Sequence, residues 1–318
     1  KFYLITYGDE SDFNLAETYL KKYNIEVIPL KAFHGFKFIR NLFDIFCTLR
    51  QTDLILSLQT TALISALPVS YLFNKPLISR SGYDVFAFSQ DSKYFFKRFV
   101  LRALELFASF TASSFIFATQ IDLDSFLRRT KYGRLLKNRF FCSKVLTFLL
   151  PNWVDTNTFI PSLEYNKKPL DPNQIKFFSI GRLETQKNYL SLVSLLASSH
   201  YKISLTIAGS GSQFSALEKL SKELRFDLTL LGKVDHSLLP KLITQYDFYI
   251  QNSLIEGHPK SVLEAMSCGA VVVCRDSPGI SQLINNRFNG YLYNSNDFQD
   301  VLSTILSNKT NKSIKSNA

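Results

Sequence analysis

Short apolar runs separated by amphipathic stretches repeat along the whole chain. In the first half the runs are Phe2–Tyr7, Asn24–Leu30, Asp53–Leu58, Pro76–Ser79, Ser114–Ala118 and Lys144–Leu149. In the second half they are Ile175–Ile180, Ser204–Ala208, Leu228–Leu231, Asp247–Gln251 and Ala270–Cys274. Between them, Tyr189–Ser198, Ser212–Leu224, Leu238–Gln245 and Ser261–Ser267 place apolar residues at helical spacing. Strands that are apolar throughout need cover on both faces, and strands alternating with helices form parallel sheets. The pattern predicts an α/β protein of two doubly wound domains, residues 1–150 and 175–318, with a cleft between them. Residues 151–174 read as the linker, because Pro151, Pro161, Pro169 and Pro172 fall there among polar residues. Ligands of such sheets bind beyond the carboxyl ends of the strands. The loops after Ile180, Ala208, Leu231 and Gln251 are therefore the places to look for chemistry.

Composition narrows the class. With 318 residues, 46% of them hydrophobic, the chain can bury a substantial core, which excludes a disordered or linker-like protein. Cys47, Cys142, Cys268 and Cys274 show no C-x-x-C spacing, so neither a disulfide framework nor a zinc site is indicated, and reduced thiols in a cytoplasmic protein are expected. No leader segment is visible, since the chain opens directly on a strand. The uncharged stretch Leu54–Asn74 is long enough to span a bilayer. Six Ser, Thr and Gln side chains and Pro68 interrupt it, so a buried strand followed by a helix is expected. The formal charge is +11, and it is uneven: residues 1–150 hold 20 Lys and Arg against 12 Asp and Glu. A basic first half suits an anionic surface such as lipid headgroups, although a solvated face without a partner has the same signature.

Three loops carry candidate chemistry. The first is Gly181-Arg182-Leu183-Glu184-Thr185-Gln186-Lys187-Asn188, where a glycine permits a tight turn and Arg182 and Lys187 can flank a diphosphate. Two cations there can supply the neutralisation that a metal otherwise provides. The second, Ala208-Gly209-Ser210-Gly211-Ser212, opens a helix with small residues, which suits phosphate and imitates a dinucleotide fingerprint. Phe214 stands where the third glycine should be, and the next strand ends Leu231-Gly232-Lys233 without an acid. The third runs from Ser253 to Met266. Pro259 fits the first turn of a helix, leaving Glu256 in the loop and Glu264 inside the helix. Their spacing is about 12 Å at helical rise, too wide for a glycosidase pair acting on one bond. It suits a grip on both ends of an extended ligand whose phosphates lie on the helix N-terminus. His258 reads either as a general acid–base or as a hydrogen-bonding spacer. No cluster has metal-ligand spacing, and no nucleophile elbow is present.

These segments resemble a known family. Glu256 to Glu264 reproduces the E-x7-E motif of the retaining GT-B glycosyltransferases of glycosyltransferase family 4. The segments G-R-L-E-T-Q-K-N (181–188), A-G-S-G (208–211), E-G-H-P-K-S-V-L-E-A-M (256–266) and P-N-W-V-D-T-N-T-F (151–159) follow the family's order and spacing. The similarity is strong from about residue 145 to 293, and before that it rests mainly on I-S-R-S-G-Y-D at 78–84. The resemblance implies two Rossmann-like domains, with donor nucleotide-sugar bound by the second and acceptor by the first. It implies Arg182 and Lys187 on the donor diphosphate, Glu264 on the ribose hydroxyls, and Glu256 with the amides following Gly257 on the transferred sugar. Gly181, Gly209 and Gly211 would shape the pocket, His258, Pro259, Lys260 and Ser261 would line it, and Gly232 to Val234 would lie near the base. It further implies retention of anomeric configuration, no cofactor and no divalent metal.

Three departures bear on activity. The Gly-rich loop and histidine that many relatives carry in the first domain are not evident here, which leaves Asp84 as the acceptor-side candidate. The start resembles the family's second strand, and the end precedes the helix that crosses back to the first domain. The expected activity is transfer of a sugar from a nucleoside diphosphate to a cell-envelope glycan or lipid-linked acceptor, in the cytoplasm or at the inner membrane face. An NAD(P)-dependent oxidoreductase, motivated by Gly209 and Gly211, and an inactive nucleotide-sugar-binding fragment are the alternatives. Nucleic acid is not an expected partner, because the positive charge is dispersed and no recognised motif accompanies it.

Overall fold

A computed structural model describes residues 2–6, 24–29, 50–58, 62–81, 95–131, 145–161 and 174–307, with positions 17, 20, 21, 47 and 135. The chain divides into two compact units. The first comprises Lys1–Arg80, Phe99–Ile116 and Thr130–Thr147, and the second Ser81–Arg98, Phe117–Arg129 and Phe148–Ala318. Parallel strands β1 (Phe2–Thr6) and β2 (Ile25–Pro29) pair with each other. A four-stranded sheet runs in the order β3 (Ile55–Ser57), β4 (Leu77–Ser81), β5 (Ser114–Phe117) and β6 (Leu146–Leu149). Among the described residues its helices are α1 (Leu63–Leu72), α2 (Phe95–Thr111) and α3 (Gln120–Arg129).

The segment from Leu54 to Asn74 forms β3 and then α1, as its polar interruptions require. Pro68 does not break α1 but sits within it. The missing amide and ring clash cost about 3 kcal/mol in a helix interior. Leu63, Ala66, Leu67 and Val69 are buried around it and offset that cost. No described helix is long and apolar enough to cross a membrane.

The second sheet holds six parallel strands: β7 (Ile175–Ile180), β8 (Ile203–Ala208), β9 (Asp227–Gly232), β10 (Phe248–Gln251), β11 (Val272–Arg275) and β12 (Tyr291–Tyr293). Their order is β12-β11-β10-β7-β8-β9, so the direction of winding reverses between β7 and β10. The connecting helices are α4 (Tyr189–Ala197), α5 (Phe214–Glu223), α6 (Leu239–Ile243) and α7 (Lys260–Ser267), and α8 (Phe298–Ser307) follows β12.

Alternate residues of each strand feed two separate cores. Phe177, Leu205, Ile207, Phe248, Ile250 and Val273 meet α4, α5 and α8 on one face. Phe178, Tyr249, Val272 and Cys274 meet α6 and α7 on the other. Each such buried side chain contributes about 1.5–3 kcal/mol, and in the central strands β7, β10 and β11 neighbouring residues are apolar on both faces, whereas the edge strand β9 alternates. The arrangement is a doubly wound sheet whose ligand crevice falls at the reversal, beyond the carboxyl ends of β7 and β10.

Candidate functional site

The loops leaving β7 and β10 meet at that reversal. After β7 the chain turns through Gly181, where an added Cβ would lie 2.9 Å from the Tyr189 hydroxyl and 3.0 Å from Lys187 Cε. Glycine there leaves room for the lysine stem. A 3-10 turn, Thr185–Lys187, ends at Asn188 with φ 55°, which starts α4 and points Lys187 across to the β10 loop. Lys187 Nζ stands 2.6 Å from Glu256 Oε1, the two side chains being 13% and 11% exposed. Gln251 Nε2, from the buried end of β10, donates to the same oxygen at 3.0 Å and to Ser253 Oγ at 2.9 Å. The Tyr249 hydroxyl in turn donates to Gln251 Oε1 at 2.8 Å. Gln186 ties the loops together through its carbonyl, which accepts from Leu254 N, and its amide, which donates to Ile255 O. Arg182 is exposed on the same loop.

The β8 loop corrects one expectation. Gly209 and Gly211 do permit a close approach, but it is to the chain itself. An added Cβ on Gly209 would lie 1.9 Å from Gly181 O, and one on Gly211 would lie 2.5 Å from Leu183 O. The start of α5 is also partly filled. Glu184 accepts from Ser212 N at 2.9 Å and from its hydroxyl at 2.7 Å, while Gln213 N bonds Leu183 O and Phe214 N bonds Gly211 O. Those hydrogen bonds hold the Glu184 carboxyl below its ordinary range. The amides of Ser212, Gln213 and Phe214, bonded to their own chain, are not available to a phosphate, whereas among the described residues no protein acceptor engages those of Ser215 and Ala216.

The start of α7 is more open. Pro259 is its N-cap, with φ −70° and ψ 110°, so the helix starts at Lys260, one residue later than the sequence suggests. Among the described residues, no protein acceptor engages the amides of Lys260, Ser261 and Val262. Gly257 and Pro259 are buried, and the loop is braced from two sides. Asn152 Nδ2 donates to the His258 carbonyl, and Lys260 Nζ lies 5.8 Å above the exposed Trp153 ring. Gly279 (φ 87°) packs so closely that a Cβ would lie 2.1 Å from Gly257 O and 2.2 Å from Glu256 O. Among the described residues His258 Nδ1 is buried without a partner, and desolvation disfavours the charged imidazole and lowers its pKa.

Glu264, on the third position after Ser261, is 3% exposed, and its Oε1 lies 2.8 Å from His236 Nε2. His236 comes from the loop after β9, where Gly232 takes φ 69° and Val234 is half-buried against the α6–α7 core. Thus both acids are held by one oxygen. Among the described residues no protein group engages Oε2 of Glu256 or of Glu264, and neither atom is buried. Each acid can accept from a ligand hydroxyl without giving up its protein partner.

His236, Gln251, Gly279 and Asn152 do not stand out in the sequence. Their signals are slight: an Asp-x-Ser turn at 235–237, a polar residue closing an apolar strand, a Ser-Pro-Gly turn, and the first polar residue after Pro151. Asp84 lies outside the described residues. No three His, Cys, Asp or Glu side chains among the described residues are grouped so as to hold a metal.

Comparison with known proteins bears on the second half of the chain. Residues 163–318, nearly half of the chain, match the family model for glycosyl transferases group 1. The C-terminal half is thus similar to that family. The GPI3 subunit of phosphatidylinositol N-acetylglucosaminyltransferase from Saccharomyces cerevisiae is 27% identical over 150 residues, which is 45% of this chain and 33% of the yeast protein. The UDP-Gal:alpha-D-GlcNAc-diphosphoundecaprenol alpha-1,3-galactosyltransferase of Escherichia coli is 28% identical over 177 residues, covering 50% of this chain and 44% of that protein. The chain therefore spans between a third and a half of the length of these relatives. The crystal structure of Anabaena HepE in complex with UDP and glucose superposes with a TM-score of 0.76 at 19% identity, covering 100% of this chain and 93% of that one. The chain has the GT-B fold, with parallel sheets in two domains.

Proposed function

We propose that this chain is a retaining, metal-independent glycosyltransferase of family 4 that moves a sugar from a nucleoside diphosphate to a cell-envelope glycan or lipid-linked acceptor. The observation that carries the reading is the pair of acids at the sheet's reversal, each with one oxygen held and one open, on either side of unsatisfied helix amides. The donor diphosphate lies over the amides of Lys260, Ser261 and Val262, where the helix dipole favours negative charge. Lys187 has three N–H groups and commits one to Glu256, so two remain for phosphate, and the exposed Arg182 closes the other side. These groups take the place of a divalent cation. Glu264 Oε2 accepts from the ribose and Glu256 Oε2 from the transferred sugar. Gly181, Gly209 and Gly211 act by letting the β7 and β8 loops interlock beneath that ligand.

The names of the relatives, acting on phosphatidylinositol and on a diphosphoundecaprenol-linked sugar, support an anionic, lipid-linked acceptor. A positively charged first half suits the membrane surface that bears such an acceptor. Sedimentation with anionic and neutral vesicles at low salt tests this docking, and equal recovery with both would remove it. For the site itself, calorimetric titration with UDP, GDP and ADP in excess EDTA should give saturable binding of one of them. Glu264→Ala should then weaken it by about 1.5–3 kcal/mol, the worth of a hydrogen bond to a charged group. No binding by the folded chain, or binding unaffected by Glu264→Ala, would overturn the reading.

A further inference from the structure

Glu264 is held by a residue from a different part of the chain, and how it is held points to a second role at this site. Asp235 caps a short turn by accepting from Ser237 N at 2.8 Å and from its hydroxyl at 2.6 Å, which fixes the backbone at His236. The His236 ring then lies between two neighbours. Its centroid is 5.1 Å from that of Phe159, at an interplanar angle of 60°, and its Nε2 reaches Glu264 Oε1 at 2.8 Å. Phe159 is itself 1% exposed and is pinned to α7, because Ser267 Oγ donates to its carbonyl. Ser267 stands three residues after Glu264, on the same helix face. Segments before β7, after β9 and after β10 therefore meet around one carboxylate.

An ionised carboxylate only accepts hydrogen bonds, so Nε2 carries the proton and donates to Oε1. The His236 side chain is 57% exposed while that of Glu264 is 5% exposed, so the imidazole covers the acid from the solvent side. A glutamate left alone on a helix has three rotatable bonds and would sample several rotamers. The N–H from His236 removes that freedom and leaves Oε2 as the acceptor presented outward.

We infer that His236 is a positioning residue that orients Glu264 and thereby sets the site's discrimination between ribose and deoxyribose. The inference rests on the reading of Glu264 as the ribose acceptor, and goes beyond it by assigning the selectivity to the hydrogen bond across the two loops. His236 itself does not touch the reacting atoms.

The test measures binding of UDP, GDP and ADP and of their 2′,3′-dideoxy counterparts to the full chain and to two variants. His236→Phe keeps a ring against Phe159 but has no N–H. His236→Gln keeps a donor near the Nε2 position but has no ring. The full chain should prefer its ribonucleotide by about tenfold or more, the value of one charged hydrogen bond. His236→Phe should bring that ratio to within about threefold, with affinity for the dideoxy form unchanged, and His236→Gln should restore it. A merely structural role would lower both affinities together and leave the ratio alone. A ratio kept in His236→Phe, or lost in His236→Gln as well as in His236→Phe, overturns the inference while the donor reading stands. Failure of the unmodified chain to bind any of the three diphosphates overturns both.

Discussion

Gly279→Ala is the sharpest test of how the site is braced. Gly279 adopts φ 87°, a region that costs an L-residue about 1–2 kcal/mol. The new Cβ would also lie 2.1 Å from Gly257 O and 2.2 Å from Glu256 O. Ordinary carbon–oxygen contacts are about 3.3 Å or longer, so the backbone must give by about an ångström. Overpacking of that kind typically costs about 1–3 kcal/mol. The loop cannot yield freely, because Glu256 N donates to Pro278 O at 3.1 Å and Glu256 is held by Lys187. Gly232→Ala is the control: it has φ 69° and nothing within 4 Å of the added carbon, so it bears the dihedral cost alone. The difference between the two variants should then be about 1–3 kcal/mol, or roughly 2–12 °C in melting midpoint for a domain of this size. Trp153, the one tryptophan in the sequence, lies in the second unit with both glycines and reports its unfolding by fluorescence. Gly279→Ala should also weaken donor binding, since the clash displaces the backbone of Glu256 and Gly257. Equal midpoints for the two variants would refute the bracing of the site by the β11 loop.

Two further outcomes follow from the same geometry. Lys187→Met leaves the Glu256 carboxylate largely buried with Gln251 as its remaining partner, and should cost about 1–3 kcal/mol; adding Glu256→Gln should recover stability in denaturant titrations but not transfer. His258 has its pKa lowered by burial from an ordinary 6.5, so the unfolded chain takes up protons first as pH falls. Stability should therefore rise with pH up to about neutrality and flatten above it, and His258→Gln should lessen that slope; an unchanged slope would show that another group sets it.

The fold was legible because a parallel sheet imposes a simple pattern. Strands buried on both faces carry apolar neighbours, as Phe177 and Phe178, which point into different cores, show, while the edge strand β9 alternates. Strand β12 escaped because it has three residues, Tyr291 to Tyr293, too few to display a period. Pro68 counts against a membrane span, as expected, yet it lies inside the helix because the packing that offsets its local cost is not local. At the site, Glu256, Glu264, Arg182 and Lys187 stand out as charges at strand ends and at the start of a helix. Their partners do not, because Lys187 and Glu256 are 69 positions apart and His236 and Glu264 are 28 apart. Those contacts depend on the order of strands in the sheet. Gly209 and Gly211 illustrate a different limit. A glycine signals that something approaches closely, and the residue alone does not say whether that is a ligand or, as here, the next loop.

If the donor reading is right, a nucleoside diphosphate sits on the N-terminus of α7 and not on that of α5. Amide hydrogen exchange with and without saturating UDP, or whichever diphosphate binds best, reads the two helix N-termini at once. Lys260, Ser261 and Val262 should become protected while Ser212, Gln213 and Phe214 exchange as before. Protection at 212–214 with no change at 260–262 would contradict that placement and would move the ligand to the glycine loop after β8.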